Sequence, residues 1–452
     1  RSTPFPTRRS SDLKSKSRRL GLTANVNYIY DNRYFVDFSY RVDGKSDFGS
    51  KKRYAPFWST GIGWNLHNEK FLKGSFANIL RLKASYGQTG TQQGSDGANT
   101  LYKYITDNRY MYWTGAELQG LGNPYLTWQK TDEFNFGVEL GLWKGRMKGE
   151  FNVYTKKTSN LLSNMDLPHS NGFASYVDNV GEVKNNGWEA SASVYVIRNA
   201  ERDINWIIGG QLTYNKNYVS KLSEAIKAQN EAYLKEDVDV ANLFYEGRPQ
   251  NGIYVVRSLG IDPANGQEIF LDKDGNRTDI WKASDKVYVG QADPRYRGIA
   301  NTMFMWKGLT VNVSASFYWG GKRYNSTIID RVEVGRTTLM AQNVDARALY
   351  DRWQKPGDVA KYKRLTNSVN GSETRPTSRF VMDENTLTFG SLSLTYRMDQ
   401  QNTRFLKKSF ISSLKWGFTM EDIFYLSSVK QERGLDYPFA RQFAISLNVV
   451  FK

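Results

Sequence analysis

Residues 131–160 read TDEFNFGVELGLWKGRMKGEFNVYTKKTSN. Taken two at a time, Phe134, Phe136, Val138, Leu140 and Leu142 fall on one face, and Asn135, Gly137, Glu139 and Gly141 on the other. After Trp143-Lys144-Gly145-Arg146 the alternation resumes, with Met147, Gly149, Phe151 and Val153 against Lys148, Glu150, Asn152 and Tyr154. Period-two alternation on both sides of a glycine turn predicts a β-hairpin. Each arm alternates for about ten residues, where an ordinary strand runs about five or six. At roughly 3.3 Å per residue and a tilt of roughly 45°, such an arm spans the hydrocarbon of a membrane. A long hairpin in a soluble sandwich carries the same local pattern, so the rest of the chain has to decide.

The chain has 452 residues, a mean hydropathy of −0.60 and no apolar run long enough for a transmembrane helix. A membrane barrel needs none, because lipid meets only every second residue. Aromatic residues make up 14%, enough to furnish girdles at two membrane interfaces. The absence of cysteine excludes disulfides, thiolate metal sites and cysteine nucleophiles. Two histidines, His67 and His169, are too few for a histidine-rich metal site. The net charge is +17, but Lys and Arg are scattered among Asp and Glu, which argues against nucleic acid as a partner.

Residues 1–13, RSTPFPTRRSSDL, have no apolar core and are not a signal peptide. Phe5 to Leu13 resemble one reading frame of a sequencing adapter. They are set aside as an artefact or a disordered terminus, with the native barrel sequence expected over 14–452 and its N-terminal part missing. Long hairpins are expected over 19–42, around Asp31-Asn32-Arg33; over 188–214, around a polar turn at 198–203; and over 299–319, around Lys307-Gly308. Residues 68–80 are less regular, 161–184 read as a loop, and 219–236 as a short surface helix. Asp274-Gly275 marks a turn. The facing of 386–396 switches near Ser391, which predicts a bulge. The last strand is expected over 441–451. Tyr110, Tyr112 and Trp113 close an aromatic cluster on a loop near the lumen mouth, where they are candidates for stacking on a sugar ring or a peptide side chain; packing in an interface girdle or within the loop is the competing role.

Strand, short turn, strand, long loop is the rhythm throughout. It is the asymmetry of an outer-membrane barrel and predicts an all-β, transmembrane antiparallel barrel. Enzyme signatures are missing: there is no G-x-S-x-G elbow, P-loop or H-E-x-x-H. Asp132 and Glu133 are adjacent carboxylates with no spacing that selects catalysis. Asp272, Asp274 and Asn276 start a calcium-like loop, but Arg277 stands where glycine is needed and Ala283 where glutamate is needed, so no metal is expected. No cofactor is expected either. The alternative to a transporter is a soluble β-rich carbohydrate-active enzyme or binding module.

Several segments, in order, resemble the C-terminal barrel of SusC/RagA-type TonB-linked outer-membrane transporters. They include Phe57-Trp58-Ser59, Glu69-Lys70-Phe71, LRLKASYGQTG at 80–90, NPYLTWQKT at 123–131, Asn179-Val180-Gly181-Glu182-Val183 and Asn186-Gly187-Trp188-Glu189. Later come Glu246-Gly247-Arg248-Pro249, Gly260-Ile261-Asp262-Pro263, Asp293-Pro294-Arg295-Tyr296, and Arg352-Trp353 with Pro356-Gly357-Asp358. The resemblance runs from Arg19 to the end. Two departures are Gln129, where glutamate is usual, and Lys452 after the terminal aromatic Phe451. The resemblance implies a barrel of roughly 22 strands around an N-terminal plug; the alternation along this chain reads as roughly fourteen to sixteen of them. It also implies a SusD-like surface lipoprotein as lid, glycan or peptide oligomers as substrate, TonB as energy source, and the Gram-negative outer membrane as location. On that reading the plug and the TonB-contacting segment lie outside this chain.

Overall fold

The computed structural model describes residues 18–46, 53–91, 101–167, 169–173, 175–235, 243–333, 345–365, 374–400, 403–429 and 441–452. Residues 1–13 lie outside them. The first strands are β1 (Arg19–Tyr30), β2 (Tyr34–Lys45), β3 (Tyr54–Asn65) and β4 (Ala77–Thr91). A separate hairpin, β5 (Leu101–Tyr110) and β6 (Trp113–Gly120), stands in the next connection. The quoted stretch forms β7 (Gln129–Leu142) and β8 (Met147–Ser159). A short hairpin of β9 (Leu162–Asp166) and β10 (Ser175–Asn179) precedes the long pair β11 (Gly181–Asn199) and β12 (Ile204–Leu222). Helix α1 (Glu224–Lys235) follows. A small sheet is made by β13 (Gly252–Ile261), β14 (Glu268–Leu271), β15 (Arg277–Thr278) and β16 (Lys286–Gln291). The chain then runs through β17 (Tyr296–Trp306), β18 (Leu309–Tyr324), β19 (Val381–Asp399), β20 (Ile411–Ser427) and β21 (Gln442–Phe451).

Thirteen of these strands form one antiparallel sheet in the order β1-β2-β3-β4-β7-β8-β11-β12-β17-β18-β19-β20-β21. The strand estimate from sequence was too high for this wall. The excess arises in the connections, where short apolar stretches form the small strands β5, β6, β9, β10 and β13 to β16 rather than wall. The region 161–184, read as a loop, holds β9, β10 and the start of β11. The helix starts at Glu224 rather than 219, because residues 219–222 still pair with β11.

Register fixes which residues share a face. Val36 lies opposite Ile62, Leu82 opposite Val138, Val138 opposite Phe151, and Phe151 opposite Ala190. Ala190 continues to Leu212, and beyond β17 the row includes Val311 opposite Leu394, Leu394 opposite Phe418, and Phe418 opposite Ile445. One face is therefore apolar across all thirteen strands, and among the described residues no second sheet of similar size covers it. Such a face far exceeds the ~300–600 Å² patch a soluble monomer exposes. A single-layered wall of this extent is not the two-layered arrangement of a sandwich. Sheet pairing satisfies the interior strands' backbone, as hydrocarbon requires.

Two aromatic rows border the apolar face. Toward the long-loop end Trp188, Tyr214, Tyr296 and Trp319 follow one another with ring centroids 6.1, 5.0 and 5.1 Å apart. Tyr34 with Trp64 and Phe76 with Trp143 stack at the short-turn end, where Trp306 is also exposed. Tyr296 and Trp306 open and close β17. About ten residues of strand at ~3.3 Å, tilted ~40°, separate the rows by ~25 Å, the height of an outer-membrane apolar band.

The turns are as tight as expected. Trp143, Lys144 and Gly145 take φ of 52°, 55° and 79°, and Gly308 takes 87° after Lys307 at 44°. The left-handed backbone at Gly145 and Gly308 explains the glycines. The predicted bulge is real: both β18 and β20 shift register against β19 between Phe389 and Ser391.

Candidate functional site

The face opposite the apolar one is polar, and alternation puts it there. Near the short-turn end, Lys83 Nζ lies 2.9 Å from Glu139 and 3.8 Å from Glu150, and Arg81 Nη1 lies 3.2 Å from Glu139. Small residues such as Ser191, Gly209 and Gly210 leave a shallow hollow of 660 Å³ beside these charges. Higher up, the Tyr154 hydroxyl donates to Asn215 at 3.3 Å, and Asn215 and Asn217 both donate amide hydrogens to Asn185, at 3.2 and 2.9 Å. A further hollow of 350 Å³ opens near the mouth, lined by Tyr318, Arg323, Glu384, Thr386, Tyr425 and Ser427. Arg323 and Glu384 pair at 2.7 Å, so this hollow carries hydroxyls and a neutralised charge pair. Amides, phenols and alcohols suit a solute rich in hydroxyls or peptide groups, and no acid–base constellation converges among the described residues.

The two longest connections, 223–295 and 325–380, are bound together above this surface. Val256 bridges to Thr377 in parallel. The Trp353 indole donates to the Pro263 carbonyl at 2.9 Å, and the Gly357 amide donates to the same oxygen at 2.8 Å. At their junction Arg379 pairs with Glu268 at 2.9 Å and with Glu333 at 2.7 Å, and both carboxylates are buried. Burial opposes the charge on Arg379. The bonds to Glu333 and Glu268 outweigh it and hold the guanidinium above its usual value. Arg352 donates to the carbonyls of Val332 and Glu333 at 2.8 and 2.6 Å. Ile328, Val332, Tyr362 and Phe380 pack as a small core beside the charges. The sequence reading missed this cluster: Arg379 and its two glutamates lie 111 and 46 residues apart, so no local pattern joins them.

The expected site residues fall at different places. Tyr112 and Trp113 occupy the tip of the β5–β6 hairpin, 91% and 76% exposed, with Met111 at φ 56° making the turn. Tyr110 pairs with Trp113 across that turn, and its side chain lies outside the described residues. Tyr112 and Trp113 thus lie on a hairpin separate from the thirteen-stranded wall. Asp132 and Glu133 point to opposite faces of β7: Asp132 accepts from Gln88 at 2.8 Å, and Glu133 pairs with Lys156 at 3.2 Å. His67 Nδ1 lies 3.2 Å from the Leu80 carbonyl, holding the connection 66–76. Asp272 accepts from the Asn276 amide at 2.7 Å, which closes the Asp274-Gly275 turn. The His169 side chain lies outside the described residues.

A family model described as "TonB dependent receptor-like, beta-barrel" matches residues 2–370. TonB-dependent receptor P39 of Formosa agariphila is 25% identical over 95% of this chain and 46% of its own length. TonB-dependent receptor SusC of Bacteroides thetaiotaomicron is 27% identical over 70% of this chain and 33% of its own. The chain therefore spans less than half the length of these relatives. A structure of the RagAB peptide transporter superposes over 91% of this chain and 44% of its own, with a TM-score of 0.78 at 24% identity.

Proposed function

The chain belongs to the TonB-dependent receptor-like β-barrel family, and from that premise we propose that it forms part of the wall of a SusC/RagA-type uptake transporter in a Gram-negative outer membrane. The observation that carries the proposal is the two-faced wall, apolar outside between two aromatic rows and polar inside. In this reading the inner face guides glycan or peptide oligomers. The long connections face the cell exterior, because short turns of such barrels face the periplasm. A SusD-like surface lipoprotein lids them, and TonB supplies the energy. The family is one of transporters, and nothing catalytic is proposed.

Tyr112 and Trp113 are the proposed first contacts for substrate, since exposed rings on a projecting hairpin are placed to stack on a sugar or an aromatic side chain. The test is uptake. Cells carrying the intact gene are grown on oligosaccharide or oligopeptide as limiting nutrient, with outer-membrane fractionation alongside. Deletion should abolish growth on one class. Replacing Tyr112 and Trp113 together by alanine should weaken uptake about tenfold, the loss of one or two ring contacts. Recovery of the protein in the soluble fraction would overturn the transporter reading; unchanged uptake by the double variant would remove only the tip from it.

A further inference from the structure

The two ends of the wall differ in charge as well as in length. The six short connections, 31–33, 66–76, 143–146, 200–203, 307–308 and 400–410, hold ten Lys or Arg against four Asp or Glu. The six long ones, 46–53, 92–128, 160–180, 223–295, 325–380 and 428–441, hold 27 of each. The short-turn end is a basic rim on a chain whose opposite end is neutral.

Three observations point to what the rim meets. All of its cations except Arg33 are exposed. The same nine make no ion pair among the described residues, whereas Arg33 pairs with Asp31 and Glu69. They alternate with large exposed rings, Phe71, Phe76, Trp143, Phe405 and Phe410, and Lys307 Nζ sits 5.8 Å from the Trp306 ring centroid. Cations beside rings at the border of an apolar face match the headgroup layer of a bilayer, where rings sit at the interface and cations meet phosphate. The exposed cations recur at five of the six short connections along the wall, while a folded acidic partner would call for one concentrated patch.

Resting on the membrane location proposed above, we propose that this rim is a binding collar for anionic phospholipid headgroups of the leaflet at the short-turn end. Lys73, Lys144, Arg146, Lys307, Lys407 and Lys408 are its principal contacts. The tight turns at 143–146 and 307–308 hold Lys144, Arg146 and Lys307 on short backbone, so little chain entropy is lost there when phosphates dock. The collar sets the depth of the wall and enriches anionic lipid around it.

The experiment uses the full chain expressed in cells, extracted from the outer membrane and delipidated in neutral detergent. The protein is offered an equimolar mixture of phosphatidylglycerol and phosphatidylcholine, and the retained lipids are measured by mass spectrometry. One variant carries Lys73→Gln, Lys144→Gln, Lys407→Gln and Lys408→Gln. A second loses the same charge at the other end through Lys235→Gln, Lys273→Gln, Lys282→Gln and Lys355→Gln. The unaltered chain should favour phosphatidylglycerol. The rim variant should lose at least about fivefold of that preference, the factor for a single surface cation, and the loop variant should keep it. No preference in the unaltered chain, equal loss in both variants, or loss of an acidic protein instead of lipid overturns the collar while leaving the transporter reading intact. A chain missing from the outer membrane overturns both.

Discussion

Val138 and Asn135, three positions apart on one strand, face different media. Val138 lies between Leu82 and Phe151 on the apolar face, and Asn135 lies opposite Tyr154 on the polar one. Val138→Arg should cost about 2–4 kcal/mol of stability in lipid, and Asn135→Ser almost nothing; urea titrations in vesicles would show it, and equal costs would mean the faces are reversed. This facing was legible in the sequence because alternation is a local property. The Glu69 contacts were not. Its carboxylate accepts from the Trp64 indole and the Tyr34 hydroxyl, both at 2.9 Å, and from Arg33 at 3.2 Å. The indole bond, followed by those from Tyr34 and Arg33, holds its pKa below the ordinary 4.5 against the opposing effect of burial. The depressed value means the folded state prefers the charged form. The stabilisation is full above the ordinary carboxylate value and is lost as pH falls through the lower folded one. Trp64 fluorescence should therefore change on acidification below about pH 4.5, and Glu69→Gln should remove that transition.

At the scale of elements, the bulge in β19 was readable because apolar Leu387 and Phe389 switch parity with Leu392 and Leu394 around Gly390. The chain has no cysteine, so single introduced thiols report facing directly. Thr388→Cys should react with a membrane-impermeant maleimide, and Leu387→Cys should not. Deleting Gly390 should exchange the two reactivities, since one residue of slip turns the strand over. The bound pair of long connections was beyond such reading. Its strands are short, its apolar residues are few, and its charges meet only in three dimensions. Arg379→Met would strand two buried carboxylates, at about 3–5 kcal/mol to the local structure. Limited proteolysis should then cut within 223–295 and 325–380 much faster, while the wall strands stay protected. Unchanged cleavage would show that the backbone contacts suffice without the charges.

For the whole molecule, the fold class was legible because the same two-residue rhythm and the same alternation of short and long connections repeat from end to end. The strand number was less legible, since sequence does not distinguish a wall strand from a short strand in a connection. The long-loop core under α1, built from Met165, Val180, Val183, Val219, Leu222 and Ile226, is likewise a meeting of distant segments. One feature of the sheet bears on assembly. Each wall strand pairs with its nearest wall neighbours along the chain, without a crossover. The wall is thus divisible: a cut at 236–242 leaves eight strands on one piece and five on the other, with the β12–β17 pairing joining the two arcs of wall and bonds from Val219 to Gly247 and Arg248 adding to it at the long-loop end. Two polypeptides made separately in one cell should rejoin along that junction and co-purify. A cut inside a strand should prevent it, because the severed half would have to find its register without a connection to guide it.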